Sequence, residues 1–347
     1  MVFLLLGAVE LVLVTVGYSR PVGEAPPILL WNQKKDDVIR DGATMFRFDP
    51  RLFWDLAPGA LAEGFRDEMI NPGGFRGALL ELERPPNVLR IACLGDSSTY
   101  GVFCRAADAY PARLAESIRR RHPEESAPAV EVLNAGVPGY TLFQGLMALE
   151  HKVLPYRPDL VVAMFGAIND ELPAKGRLGD LEKSAQLLYP GVARRAVRFL
   201  GRYRTFQLVA SLAPAPKPLS EEERRALKRD ALEGKDVRPR LGVADFRSIG
   251  TRFVSAALRS GADVILLGPP RARELREDYP NLERYNAALA EIARAQGVPF
   301  LDLEPIFDED PTLFHDSMHP TAAGHALIAE RVAELVVGRG IRPSPPR

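Results

Sequence analysis

From residue 88 onward the chain alternates between two kinds of pattern. Short, nearly uninterrupted apolar runs fall at 88–94, 130–133, 160–165, 262–267 and 298–303, with charge only at Arg90, Glu131, Asp263 and Asp302. They are rich in β-branched residues and end in Gly, Asn, Pro or Asp. Continuous apolar runs of this length predict strands buried on both faces, as in a parallel sheet. Between them, apolar positions recur at helical spacing near 106–121, 141–153, 246–260, 281–296 and 320–338. The alternation is a βαβ repeat and predicts an α/β three-layer sandwich. Active sites in such folds lie at the carboxyl ends of the strands.

The rest of the chain follows other patterns. Residues 1–18 are almost wholly apolar, with Glu10 the single charge. As a helix rising 1.5 Å per residue this run would extend about 27 Å, close to the hydrocarbon thickness of a bilayer. It lacks a basic n-region and a small-x-small cleavage site, so an uncleaved membrane anchor is the preferred reading over a cleaved signal peptide or a buried helix. An anchor would place the catalytic part outside the cytoplasm, periplasmic or extracellular. The basic residues Arg20, Lys34 and Lys35 after the span, read by the positive-inside rule alone, favour the opposite orientation.

Residues 19–87 carry both tryptophans, Trp31 and Trp54, with Phe46, Phe48, Phe53, Phe65 and Phe75. That aromatic load predicts a segment that packs on something, and the rim of the active site is the expected place. Residues 171–245 interrupt the alternation as a helical insertion. Within it, 190–212 is arginine-rich and interleaved with aromatics, which fits either a lipid-facing helix or a solvated helix face. The mixed charges of 221–240 predict a solvated helix. The Pro-rich tail, 339–347, is expected to fray. The strand–helix repeat is thus expected to form one unit over 88–338.

Composition narrows the function. The 347 residues allow one large domain or two ordinary ones. The 45 acidic and 45 basic side chains cancel, which excludes bulk electrostatic binding of nucleic acid. Two cysteines exclude a disulfide scaffold and any multi-cysteine metal cluster. An oxidising compartment would permit a Cys93–Cys104 disulfide, but Cys93 falls in a predicted buried strand and is read as a small core residue.

Four strand ends carry residues with chemical potential. After the first strand comes Gly95-Asp96-Ser97-Ser98-Thr99, where a serine opening a helix lies at the sheet edge with its own N–H along the helix dipole. After the second comes Asn134-Ala135-Gly136-Val137-Pro138-Gly139, whose last glycine can offer its N–H to an anion. After the third comes Gly166-Ala167-Ile168-Asn169-Asp170, whose asparagine amide can donate to the same anion. Each also has an ordinary reading as a turn or cap. After the fifth comes His315-Asp316-Ser317-Met318-His319-Pro320. His319 should be extended before proline, with Pro320 opening a helix, and Asp316 can fold back to its Nδ1 and leave Nε2 free for a serine. His315 and His325 compete for this role without an aspartate three residues before them. His122 and His151 are read as surface residues.

Taken in order, these blocks resemble the SGNH/GDSL hydrolase superfamily across about residues 88–338. Gly95-Asp96-Ser97 is similar to its nucleophile block, Gly139 to its oxyanion glycine, Asn169 to its oxyanion asparagine, and Asp316 with His319 to its Asp-x-x-His block. The nucleophile block departs from the family's eponymous pattern by reading Ser-Ser-Thr rather than Ser-Leu. Upstream, Asn71-Pro72-Gly73-Gly74-Phe75-Arg76-Gly77 resembles a segment of anchored bacterial members. The resemblance implies a flavodoxin-like sheet of five parallel strands and a serine esterase that needs no cofactor or metal. It assigns Ser97, Asp316 and His319 to the triad, and Ser97, Gly139 and Asn169 to the oxyanion hole. The expected substrate is a carbohydrate or lipid ester. Acyl transfer to a surface polysaccharide, lysophospholipase or thioesterase activity, and a non-catalytic binding role are the alternatives.

Overall fold

The computed structural model describes residues 2–18, 45–62, 64–121, 128–172, 179–188, 199–200, 202–211, 239–279 and 281–343. Ahead of the α/β unit, the chain forms two small antiparallel pairs. β1 (Phe46–Asp49) pairs with β2 (Phe53–Leu56), and β3 (Leu61–Ala62) pairs with β4 (Phe65–Met69).

The main sheet contains β5 (Val88–Gly95), β6 (Ala129–Gly136), β7 (Leu160–Met164), β8 (Asp263–Gly268) and β9 (Phe300–Asp302). Its order is β6-β5-β7-β8-β9 and every pair is parallel. This is the flavodoxin-like order, with its topological switch beside the first strand. Side chains alternate between the faces although the strands are apolar throughout. Leu89, Ile91, Cys93, Leu160, Val162 and Met164 share one core with the helices Tyr110–Arg121 and Ala322–Gly338. Ala92, Leu94, Val161 and Ala163 share the other with the helices Leu142–Ala148, Val243–Arg259 and Leu282–Gln296.

The charges in the first two runs partner each other. Arg90 and Glu131 stand in register on adjacent strands, and the fully buried guanidinium donates to Glu131 Oε2 from Nε and Nη2 at 2.9 and 2.7 Å. Its Nη1 donates to the carbonyls of Leu82 and Tyr156. β6 runs further than 130–133, through Asn134-Ala135-Gly136. Gly136 is required there: a Cβ would lie 2.2 Å from the backbone nitrogen of Tyr100.

The described part of the aromatic extension is not a separate body. Phe46, Phe53, Trp54, Leu56 and Phe75 belong to the same hydrophobic cluster as Leu94, Phe143 and Leu146. Trp31 lies outside the described residues. So do residues 190–198, 201 and 212 of the arginine-rich segment, residues 221–238, and residues 344–347 of the tail. The beginning of that tail is ordered, with Ile341 buried against the core.

The N-terminal helix, Val2–Thr15, is 14 residues long. That gives a rise of about 21 Å, short of a hydrocarbon core of about 30 Å. No helix among the described residues is long and apolar enough to cross a membrane. Gly17, at φ 70°, follows the helix end. Glu10 turns to the insertion: its carboxylate accepts from the backbone N–H groups of Arg204 and Thr205 at 2.6 and 2.7 Å and from the Thr205 hydroxyl at 2.6 Å. It thereby caps the helix Arg204–Ser211, and the Thr205 bonds hold its carboxyl below the usual range.

Candidate active site

Gly95 closes the central strand, and Asp96 caps the short helix Ser97–Tyr100 by accepting from Ser98 N at 2.9 Å. Ser97 therefore opens a helix at the carboxyl edge of the strand beside the switch point. The loops following the neighbouring strands β6 and β7 flank it on either side.

The histidine block arrives from the far end of the chain. Asp316 Oδ1 accepts from Met318 N and His319 N at 2.9 and 2.8 Å, which folds the loop back on itself. Asp316 Oδ2 then lies 2.7 Å from His319 Nδ1, and His319 Nε2 lies 2.8 Å from Ser97 Oγ. Ser98 Oγ donates to Met318 O at 3.2 Å and ties the two blocks together a second time. Partial burial pushes the Asp316 carboxyl up, but bonds from the His319 ring and the two backbone N–H groups, with the histidine's charge, outweigh it and hold the group at about 2. Pro320 does not open the next helix. Thr321 caps it, accepting from Gly324 N at 3.3 Å, and Pro320 bridges back to Phe314.

The Gly139 turn and Asn169 are both tied to the end of β5. Val137 N donates to Gly95 O at 3.1 Å, and Tyr140 N donates to Val137 O at 3.1 Å. With Pro138 second, Gly139 third and Gly139 at φ 80°, Val137–Tyr140 is a type II turn that needs glycine at 139. Asn169 Nδ2 donates to Asp96 Oδ2 at 2.8 Å. That bond fixes the amide and leaves its second N–H for another acceptor. Asp96 thus connects the helix that Ser97 opens to Asn169, a role that its position as an N-cap does not disclose. Burial pushes its carboxyl up, against the bond from Ser98 N, the charge of His319 and the bond from Asn169.

The competing histidines do other things. His325 is fully buried, its Nδ1 accepts from Tyr110 N at 3.3 Å, and burial pulls it down to about 3. His151 is exposed, and His122 lies outside the described residues. His315 stacks on Phe103 with centroids 4.3 Å apart, and the same ring meets His319 edge-on at 5.4 Å. Phe103 is half-exposed and sits at φ 69°, a conformation that costs a phenylalanine strain. No sequence pattern singles it out.

Three further residues were not legible as site residues. Arg76 grips the end of the nucleophile helix, Trp54 reaches the Val137–Tyr140 turn, and Arg240 reaches it from the other side. Cys93 and Cys104 are both free and buried, and burial raises the Cys104 thiol to about 11. Among the described residues, no group of three or more His, Cys, Asp or Glu side chains is placed to hold a metal ion.

Residues 93–327 match the model of the GDSL-like Lipase/Acylhydrolase family, a span that contains Ser97, Gly139, Asn169, Asp316 and His319. No curated protein matches the sequence. Among solved structures, an α/β hydrolase enzyme from the metagenome of Lake Arreo, Spain, is 19% identical, with 74% of this chain and 96% of that chain covered and a TM-score of 0.45. An acetylxylan esterase from Geobacillus stearothermophilus is 18% identical over 72% of this chain and 94% of its own, with a TM-score of 0.45. A lipase/acylhydrolase from Enterococcus faecalis is 21% identical over 74% and 98%, again with a TM-score of 0.45.

Proposed function

The chain belongs to the GDSL-like lipase/acylhydrolase family, and from that membership we propose that it is a serine esterase whose triad is Ser97, His319 and Asp316. The observation that carries the reading is the unbroken chain from Ser97 Oγ through His319 Nε2 and Nδ1 to Asp316 Oδ2, at 2.8 and 2.7 Å. His319 takes the serine proton as Oγ attacks the ester carbonyl, and Asp316 holds the ring in the tautomer that leaves Nε2 free to accept it. The backbone N–H groups of Ser97 and Gly139 and the second N–H of Asn169 stabilise the tetrahedral oxyanion. His319 then protonates the departing alcohol, and water activated by the same ring releases the acyl group.

A short acyl or acetyl ester of a carbohydrate is the substrate class we favour. The leaving alcohol departs on the His319 side, where the half-exposed Phe103 ring provides an aromatic surface against which an apolar sugar face can rest. The same surface suits a sugar acceptor, so acyl transfer to a polysaccharide hydroxyl is the second reading. Hydrolysis of p-nitrophenyl esters from acetyl to palmitoyl, wild type beside Ser97→Ala, tests the proposal. Serine-dependent turnover highest at acetyl is the expected result. A long-chain optimum would move the substrate to lipid, and full turnover by a folded Ser97→Ala variant would overturn the triad. Product analysis with a sugar acceptor present separates transfer from hydrolysis.

A further inference from the structure

Gly139 lies between two peptide groups, and each of their carbonyls is held by a side chain from outside the strand–helix repeat. The Trp54 indole donates from Nε1 to Pro138 O at 3.1 Å. The Arg240 guanidinium donates from Nη1 to Gly139 O at 2.7 Å. Trp54 comes from the N-terminal hairpin and is 1% exposed; Arg240 comes from the end of the insertion and is 7% exposed. The two donors also touch, with the guanidinium over the indole at 5.3 Å. Each is anchored in turn. The Tyr140 hydroxyl donates to Trp54 O at 2.8 Å, and Arg240 donates from Nη2 to Asp180 Oδ2 and Gln144 Oε1 at 2.8 and 2.6 Å.

Pro138 O and Gly139 N–H belong to one planar peptide and point in opposite directions. Rotating that peptide converts the type II turn into a type I turn and reverses its N–H. Glycine at 139 tolerates either form. A donor fixed on Pro138 O therefore fixes where Gly139 N–H points, and it polarises the peptide so that the N–H is a stronger donor.

We propose that Trp54 and Arg240 are positioning residues for the oxyanion hole: Trp54 locks the Pro138–Gly139 peptide in the orientation that aims the Gly139 N–H at the reacting ester, and Arg240 holds the Gly139–Tyr140 peptide that follows it. The inference rests on the esterase reading above and extends it to residues on which no family motif falls.

Trp54→Phe keeps an aromatic ring against Tyr140 and removes the donor. Loss of a whole oxyanion donor costs on the order of 10²–10³ in turnover, so loosening one should lower kcat with p-nitrophenyl acetate about tenfold. KM should stay within about twofold, because the interaction matters in the transition state. The Ki of an arylboronate, whose tetrahedral adduct on Ser97 places an oxygen where the oxyanion forms, should rise by the same factor as kcat falls. Leu56→Ala, on the same strand but away from the turn, should lower Tm and leave kcat and the boronate Ki unchanged. If Trp54→Phe does not fold, 3-benzothienylalanine at position 54 gives the same shape without the N–H. Values of kcat and Ki within twofold of wild type, in a protein whose Ser97→Ala variant is inactive, would overturn this inference and leave the esterase reading standing. An active Ser97→Ala variant would overturn that reading instead.

Discussion

Replacing Arg76 by methionine tests whether the N-terminal extension is part of the frame of the site. Arg76 is 3% exposed. Its Nη1 donates to Tyr100 O and Gly101 O at 2.9 and 2.6 Å, and its Nη2 donates to Cys104 O at 2.7 Å and Glu68 Oε2 at 2.9 Å. It also lies over the Tyr100 ring at 4.4 Å. Hydrogen bonds to a charged group contribute about 1.5–3 kcal/mol each in isolation. The four share one desolvated cation and do not add, so the better guide is the roughly 3–5 kcal/mol lost when one partner of a buried ion pair is removed. Methionine retains most of the stem, which keeps the cavity contribution small. Urea unfolding followed by circular dichroism should show that loss. Glu68→Gln should cost about 1 kcal/mol, because Arg76 keeps its three carbonyls. The carbonyls released by Arg76→Met close the helix that begins at Ser97, so kcat should fall as well. A loss below about 1 kcal/mol with unchanged kcat would refute the view that Arg76 clamps the nucleophile helix.

Two further outcomes follow from the Asp316–His319 pair. Asp316→Asn should leave the circular dichroism spectrum unchanged and lower kcat by roughly 10²–10⁴, because the ring loses the acceptor that fixes its tautomer; turnover within tenfold of wild type would remove Asp316 from the triad. The Asp316 carboxyl is held at about 2, below its unfolded value of about 3.9, so its contribution to stability is full above the unfolded value and is lost as pH falls through about 2. The Tm difference between wild type and Asp316→Ala should therefore shrink as pH falls below 4, and a difference that grew on acidification from pH 4 would contradict that sign.

The sheet was legible because its strands are buried on both faces and carry almost no charge, a pattern that helices and loops do not share. Strand ends were less legible. Asn134-Ala135-Gly136 reads as a turn, yet it continues β6, because Gly136 lets the nucleophile helix approach where any side chain would collide with it. The blocks around Ser97 and His319 could be picked out because the atoms that arrange each are local: Asp96 caps Ser98, and Asp316 accepts from Met318 and His319. What joins one block to another was not legible. The bonds of Asn169 to Asp96, Trp54 to Pro138 and Arg240 to Gly139 span 73, 84 and 101 positions. No periodicity or spacing encodes partners that far apart. The partners of the N-terminal helix were hidden for the same reason. The apolar run of residues 1–18 is near a bilayer in length; the helix in it ends at Thr15, and Glu10 accepts from the backbone of Arg204 and Thr205, 194 and 195 positions away.

Those long-range bonds explain how loops can carry a site that demands close geometry. Short loops at a sheet edge open more readily than the strands that hold them, yet an oxyanion donor must stay near its place through every turnover. Here the loops are held from outside the repeat. The hairpin supplies Trp54 to the Val137–Tyr140 turn and the segment after it supplies Arg76 to the helix that Ser97 opens, while the insertion returns to the core at Arg240 and reaches the same turn. Arg240 N also donates to Leu172 O, and Leu241 N donates to Asp170 O, next to Asn169. The insertion thus closes beside both flanking loops, and its exit is fixed by the residues that flank the candidate oxyanion donors. The constraint falls on a few contact residues and not on the length or composition of the segments between them. A chain built this way can change what surrounds the mouth of the site while Trp54, Arg76 and Arg240 keep the reacting groups in register.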